Sequence, residues 1–182
     1  MISSKTALLI IDVQEAIDDP KWGQRNNSDA EKRIAELLKY WRGKNAPIVH
    51  IRHDSNEAGS PYRQGQPLHK FKDIVKPLMG ETVIGKSTNN AFVNTDLHKW
   101  LETTDIKRLV ICGVLTQHSV DCTARMAASL GYKVTVVSDA TAATEVRDTT
   151  SKEWSADNVH NLTLAHLAAD YADIKITKEL LV

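Results

Sequence analysis

Short runs rich in apolar and β-branched residues alternate along this chain with stretches in which apolar residues recur every three or four positions. The runs at 7–11, 47–53, 81–85, 107–115, 133–138 and 172–176 read as strands, the last of them edge-like. Positions 110–115 carry Val110, Ile111, Val114 and Leu115 with Cys112 and Gly113 between them, so no polar face remains and both sides expect a cover. Helical spacing follows in four places. One helix starts at Ser28 or Asp29, places Ile34, Leu37, Leu38 and Trp41 on one face and ends at Gly43; another is capped by Asn94 or Thr95 and runs through Leu97 and Leu101. A third begins with Thr116 as N-cap and stops at Gly131, and a fourth covers most of 148–169. Six strands alternating with helices predict one α/β domain over 1–182, a three-layer α/β/α sandwich on a six-stranded, mostly parallel, doubly wound sheet. Residues 13–27 read as irregular. Residues 54–79 form a long segment without periodicity, of the kind used as a lid or an interface arm.

Composition narrows the partners. The 182 residues suffice for one core, and 23 basic against 23 acidic residues leave no net charge and no basic run. Neither nucleic acid nor a membrane surface is therefore expected as a partner; a small-molecule substrate or a second copy of the chain is. Two cysteines make no disulfide framework, which suits a reducing, cytoplasmic location. The first apolar run reads as a strand rather than a signal peptide, and no stretch reaches the ~18–20 apolar residues of a membrane span.

A parallel sheet sends all its strand C-termini to one edge. Asp12, Lys86 and the Thr116–Ser119 turn each follow such a strand, so topology alone gathers a carboxylate, an amine and a hydroxyl. Ser119 as nucleophile, Asp12 as general base and Lys86 as the cation that keeps the base ionised form one reading. An Asp12–Lys86 ion pair beside a capping serine is the other.

The segments TALLIIDVQ, GKSTNNAF and ICGVLTQHSVDCTARMAASLGY, with SDATAAT after the fifth strand, resemble the catalytic blocks of the isochorismatase-like cysteine hydrolase superfamily, across about residues 5–143. The resemblance implies a hydrolase of C–N bonds in small amide or ureido substrates, with Asp12, Lys86 and position 119 as its catalytic set. It implies a cis peptide between Val114 and Leu115 and an oxyanion hole made by the N–H groups of Leu115 and Ser119. Gln14, Phe92 and Thr116 fall at substrate-binding positions, and a homo-oligomer (dimer or tetramer) is expected, with 54–79 as the segment that crosses over.

One position departs from the pattern: Ser119 stands where the superfamily has its nucleophilic cysteine. Cys122 is no substitute, because three residues along a helix put it ~4.5 Å further down the axis. Three readings follow: an engineered replacement, a natural serine nucleophile, or a site that needs no nucleophile. The last would be isochorismatase-type vinyl-ether hydrolysis with Asp12 as acid, and a non-catalytic binding module is a further alternative. A serine hydroxyl gains far less than a thiol from a helix terminus and a nearby lysine. His50, His53, Asp54 and His69 invite comparison with the metal-binding loop of nicotinamidases, but His50 and His53 fall on opposite faces of a strand and the Asp-x-His spacing is missing. No cofactor is expected, with zinc or a similar divalent ion as the alternative.

Overall fold

A computed structural model describes residues 4–182. Six parallel strands form one sheet in the order β3-β2-β1-β4-β5-β8: β1 (Thr6–Ile11), β2 (Ile48–His53), β3 (Thr82–Lys86), β4 (Arg108–Val114), β5 (Lys133–Ala142) and β8 (Asp173–Lys175). The sheet is wholly rather than mostly parallel. The sequence runs outward from β1 in one direction and then from β4 in the other, so β1 and β4 flank the switch point, where open α/β sheets leave a crevice.

The period of two along each strand sorts the core into two layers. Leu9 and Ile11 of β1 pack with Val49, Ile51 and Ile111 under α2 (Leu97–Thr103), α3 (Asp121–Ser129) and α4 (Ala156–Asp170). Leu8 and Ile10 face the other way, with Val110 and Cys112, against Ile34, Leu37, Leu38 and Trp41 of α1 (Ala30–Gly43). The short α5 (Thr177–Leu180) lies on that second side, where Leu180 and Leu181 reach the α1 layer. Among the described residues no helix is long and apolar enough to cross a membrane.

Three local expectations change. The helix expected from 148 begins at Ala156, because Asp148 folds the preceding residues into a turn: its carboxylate accepts from the Thr150 and Lys152 N–H groups and from Trp154 Nε1. That turn joins β6 (Val146–Arg147) to β7 (Glu153–Trp154), a hairpin outside the main sheet, and Ser155 caps α4 by accepting from Asn158 N–H. Strand β5 runs four residues past its predicted end, its register against β4 shifting between Ile111 and Gly113. Beyond α1 the left-handed residue is Asn45 (φ 49°), not Gly43, which is still helical. Residues 54–79 fold back on their own chain: Glu15 N–H donates to Lys70 O and Lys72 N–H to Val13 O, so this segment and the 13–22 turns brace each other.

Candidate active site

Three elements meet at the switch point. Asp12 leaves β1 with φ 56°, its N–H held by Ile51 O at 3.0 Å, which turns its side chain out of the strand line. Lys86 is the last residue of β3, and Ser119 sits in a π-helical turn (Thr116–Val120) between β4 and α3. The peptide between Val114 and Leu115 is cis, as the resemblance implied. Gly113 just before it has φ 120° and lies against Ile11; a Cβ there would stand 2.2 Å from Ile11 O, so β1 and β4 approach this closely only with glycine.

Lys86 is the hub. Its Nζ lies 2.6 Å from Asp12 Oδ2, 3.1 Å from Ser119 Oγ, 3.0 Å from Thr88 O and 3.2 Å from His53 Nδ1. An ammonium has three protons for these four acceptors, so they share its donation. The side chains of Lys86 and Asp12 are 0% and 7% exposed, which makes this a buried ion pair. Asp12 Oδ1 is buried and has no hydrogen-bond partner, leaving an acceptor at the floor of the site.

Above that floor opens a cavity of about 470 Å³. Asp12, Leu115 and Ser119 form its base, Ile17, Trp22 and Tyr62 an apolar wall, and the 55–60 and 87–89 loops its polar rim. Trp22 and Tyr62 meet edge to face with centroids 6.0 Å apart, and Tyr62 meets the His53 ring at 5.4 Å. Burial lowers the His53 pKa; Lys86 adds to this and Asp12 opposes it, so the ring is neutral at physiological pH. Burial, reinforced by Asp12, pushes the Tyr62 hydroxyl well above its ordinary value, so it stays protonated.

The proposed substrate-binding positions fare differently. Gln14 is fully buried and is not among the residues that line the cavity: its amide donates to His53 O and His69 O while its Oε1 accepts from His53 N–H, tying both ends of the 54–69 loop to the segment that follows β1. Phe92 packs under α2 against Tyr132, in the core. Thr116 is neither N-cap nor pocket wall. Leu115 occupies the cap position, and Thr116 Oγ1 bonds the buried His160 Nδ1 at 2.9 Å, a partner delivered by α4. Cys122 lies on α3, its thiol pushed up by burial and by Asp121.

The four metal candidates are spent on other partners. His50 Nε2 meets Glu81 Oε2 at 3.0 Å, His69 Nε2 meets Asp54 Oδ1 at 2.6 Å, and His53 Nδ1 faces Lys86. Among the described residues no group of three or more His, Cys, Asp or Glu side chains is placed to hold a metal ion. Sequence reasoning overlooked Trp22, Tyr62, His118 and Glu57 as cavity residues, and nothing in their local pattern marks them.

Residues 6–166 match the family described as the isochorismatase domain. The chain is 39% identical over 180 residues to the isochorismatase family protein YrdC of Bacillus subtilis, covering 99% of this chain and 96% of that one. It is 31% identical over 142 residues to a streptothricin hydrolase of Streptomyces noursei, of which the match spans half. A crystal structure of an isochorismatase-family protein from Chromobacterium violaceum superposes with a TM-score of 0.96 at 44% identity, over 100% of this chain and 94% of that chain. Fold, site topology and sequence agree that the chain belongs to the isochorismatase family of hydrolases.

Proposed function

We propose that the protein hydrolyses a C–N bond of a small amide or ureido substrate through a covalent intermediate at position 119. The observation that carries this reading is the shared Lys86 ammonium, in reach of both Asp12 Oδ2 and Ser119 Oγ, beside an Asp12 Oδ1 that has no partner. Lys86 stabilises negative charge developing on the nucleophile, and Asp12 takes up its proton. The Oγ attacks the carbonyl carbon, the oxyanion forms between the N–H groups of Leu115 and Ser119, and the C–N bond breaks as Asp12 returns the proton to the leaving nitrogen. Water then attacks the ester carbonyl and gives a proton to Asp12; the bond to Ser119 Oγ breaks as Asp12 passes that proton to Oγ, and the acid is released. With oxygen at 119 the first step is slow, because a hydroxyl is far harder to deprotonate than a thiol.

The test is Ser119→Cys against a panel of small amides and ureides. Hydrolysis is expected to rise by about two orders of magnitude or more, with an acyl adduct on residue 119 visible by intact mass. Ser119→Ala should abolish the residual activity; if Ser119→Ala keeps the rate of the unaltered protein and Ser119→Cys forms no adduct, a non-covalent route with Asp12 as acid replaces this one.

A further inference from the structure

Charge around the cavity is one-sided. Among the residues that line it, Asp12 and Glu57 bring carboxylates, and none is arginine or lysine. The ammonium beneath the floor, Lys86, is already paired with Asp12. His53 and His118 also line the cavity, and desolvation lowers the pKa of both, which disfavours their cationic forms. Of the nearby cations, Lys21 lies outside over the Trp22 ring, 4.5 Å from its centroid, and Arg25 is bound to Glu31 at 2.7 Å.

Glu57 is exposed at the rim, and its carboxylate forms no ion pair among the described residues. Its backbone is nonetheless fixed: Glu57 N–H donates to Ser55 Oγ, and Glu57 O accepts from Ser60 N–H. A carboxylate stands at the mouth, a buried unpartnered acceptor (Asp12 Oδ1) at the floor, and the Trp22–Tyr62 wall in between. Two acceptors joined by an aromatic wall complement a ligand with an N–H group at one end and a cation at the other.

We infer that the cavity selects small amides or ureides whose non-reacting end carries a cationic group facing Glu57, and that it discriminates against carboxylate-bearing substrates. The identity of the scissile end rests on the hydrolysis proposed above; the charge preference does not depend on turnover. A dicarboxylate would meet the unpaired Glu57 carboxylate at the rim and no free cation among the lining residues, so the same observations weigh against a dianionic vinyl ether.

Two matched probes test this: 4-(aminomethyl)benzamide and 4-carboxybenzamide. Their binding is measured by calorimetry on the Ser119 protein and their kcat/KM on Ser119→Cys, at low and high salt. The ammonium compound is expected to be favoured about tenfold at low salt, with the preference shrinking as salt screens the rim. Glu57→Gln should reduce the preference by about threefold to fivefold, and Glu57→Lys should reverse it. Equal or stronger binding of the carboxylate compound, a ratio unmoved by Glu57→Lys, or no binding of either probe overturns the inference. Charge-selective binding without any hydrolysis by Ser119→Cys sinks the hydrolysis proposal alone. Equal hydrolysis of both probes sinks the charge inference alone.

Discussion

Removing one member of the Asp12–Lys86 pair should cost stability as well as activity, and the structure sets the size of the effect. Lys86 is fully buried, and its Nζ contacts Asp12 Oδ2 at 2.6 Å. In Lys86→Met both oxygens of a buried carboxylate lack a partner, since Asp12 Oδ1 has none already. Breaking a buried pair in this way costs about 3–5 kcal/mol. For a domain of this size each kcal/mol corresponds to about 2–4 °C in Tm, so a drop of ~6–20 °C is expected. Asp12→Asn leaves the ammonium without its counter-charge and should be destabilised in the same way. The double variant removes both charges together and should be more stable than the sum of the singles predicts, with a coupling of about 2–3 kcal/mol. Urea denaturation of the four proteins, followed by tryptophan fluorescence and circular dichroism, measures the cycle. Singles within about 1 kcal/mol of the unaltered protein, or a double variant additive to within ~0.5 kcal/mol, would refute the idea that a desolvated ion pair anchors the site.

Gln14→Ala removes three hydrogen bonds from a fully buried amide and should cost about 2–4 kcal/mol, with faster proteolytic nicking within 54–69; an unchanged digestion pattern would show that the loop is held elsewhere. Gly113→Ala places a Cβ 2.2 Å from Ile11 O at a φ of 120°, so a loss of about 3 kcal/mol or more, or no soluble protein, is expected. Burial alone would raise the Glu81 pKa, but Arg42, the Leu78 N–H and His50 outweigh it and hold the value at about 2. A depressed carboxylate pKa stabilises the fold above the ordinary value of 4.5 and loses that contribution as pH falls toward 2, so the stability gap to Glu81→Gln should narrow across that window. A gap that stays constant from neutral pH down to pH 2 would contradict the sign.

The positions of Asp12 and Lys86 were legible because one follows the fully buried β1 and the other ends the edge strand β3, and a parallel sheet delivers both strand ends to one edge. Gln14 and Phe92 were misplaced because a residue near a motif need not face the cavity: Gln14 turns inward to hold a loop 39 residues away, and Phe92 drops into the core under α2. Thr116 has the residue type of a cap, but a buried histidine 44 residues further on takes its hydroxyl. The helix expected over most of 148–169 rests on apolar positions from Val159 onward, and at 148–155 local hydrogen bonds to Asp148 form a turn instead.

By itself the sequence determined the alternation of strands and helices, the two-sided burial of the central strands, and the meeting of Asp12, Lys86 and Ser119, because periodicity and parallel topology depend on local pattern alone. Only the tertiary structure decided that one ammonium serves four acceptors, that Asp12 keeps one oxygen open, and that Trp22, Tyr62 and Glu57 face the same cavity. Those features depend on angles and distances between segments far apart in the chain. At 107–131 the pattern delivers a hydroxyl to the strand end, and the fold surrounds it with the charges that decide what that hydroxyl can do.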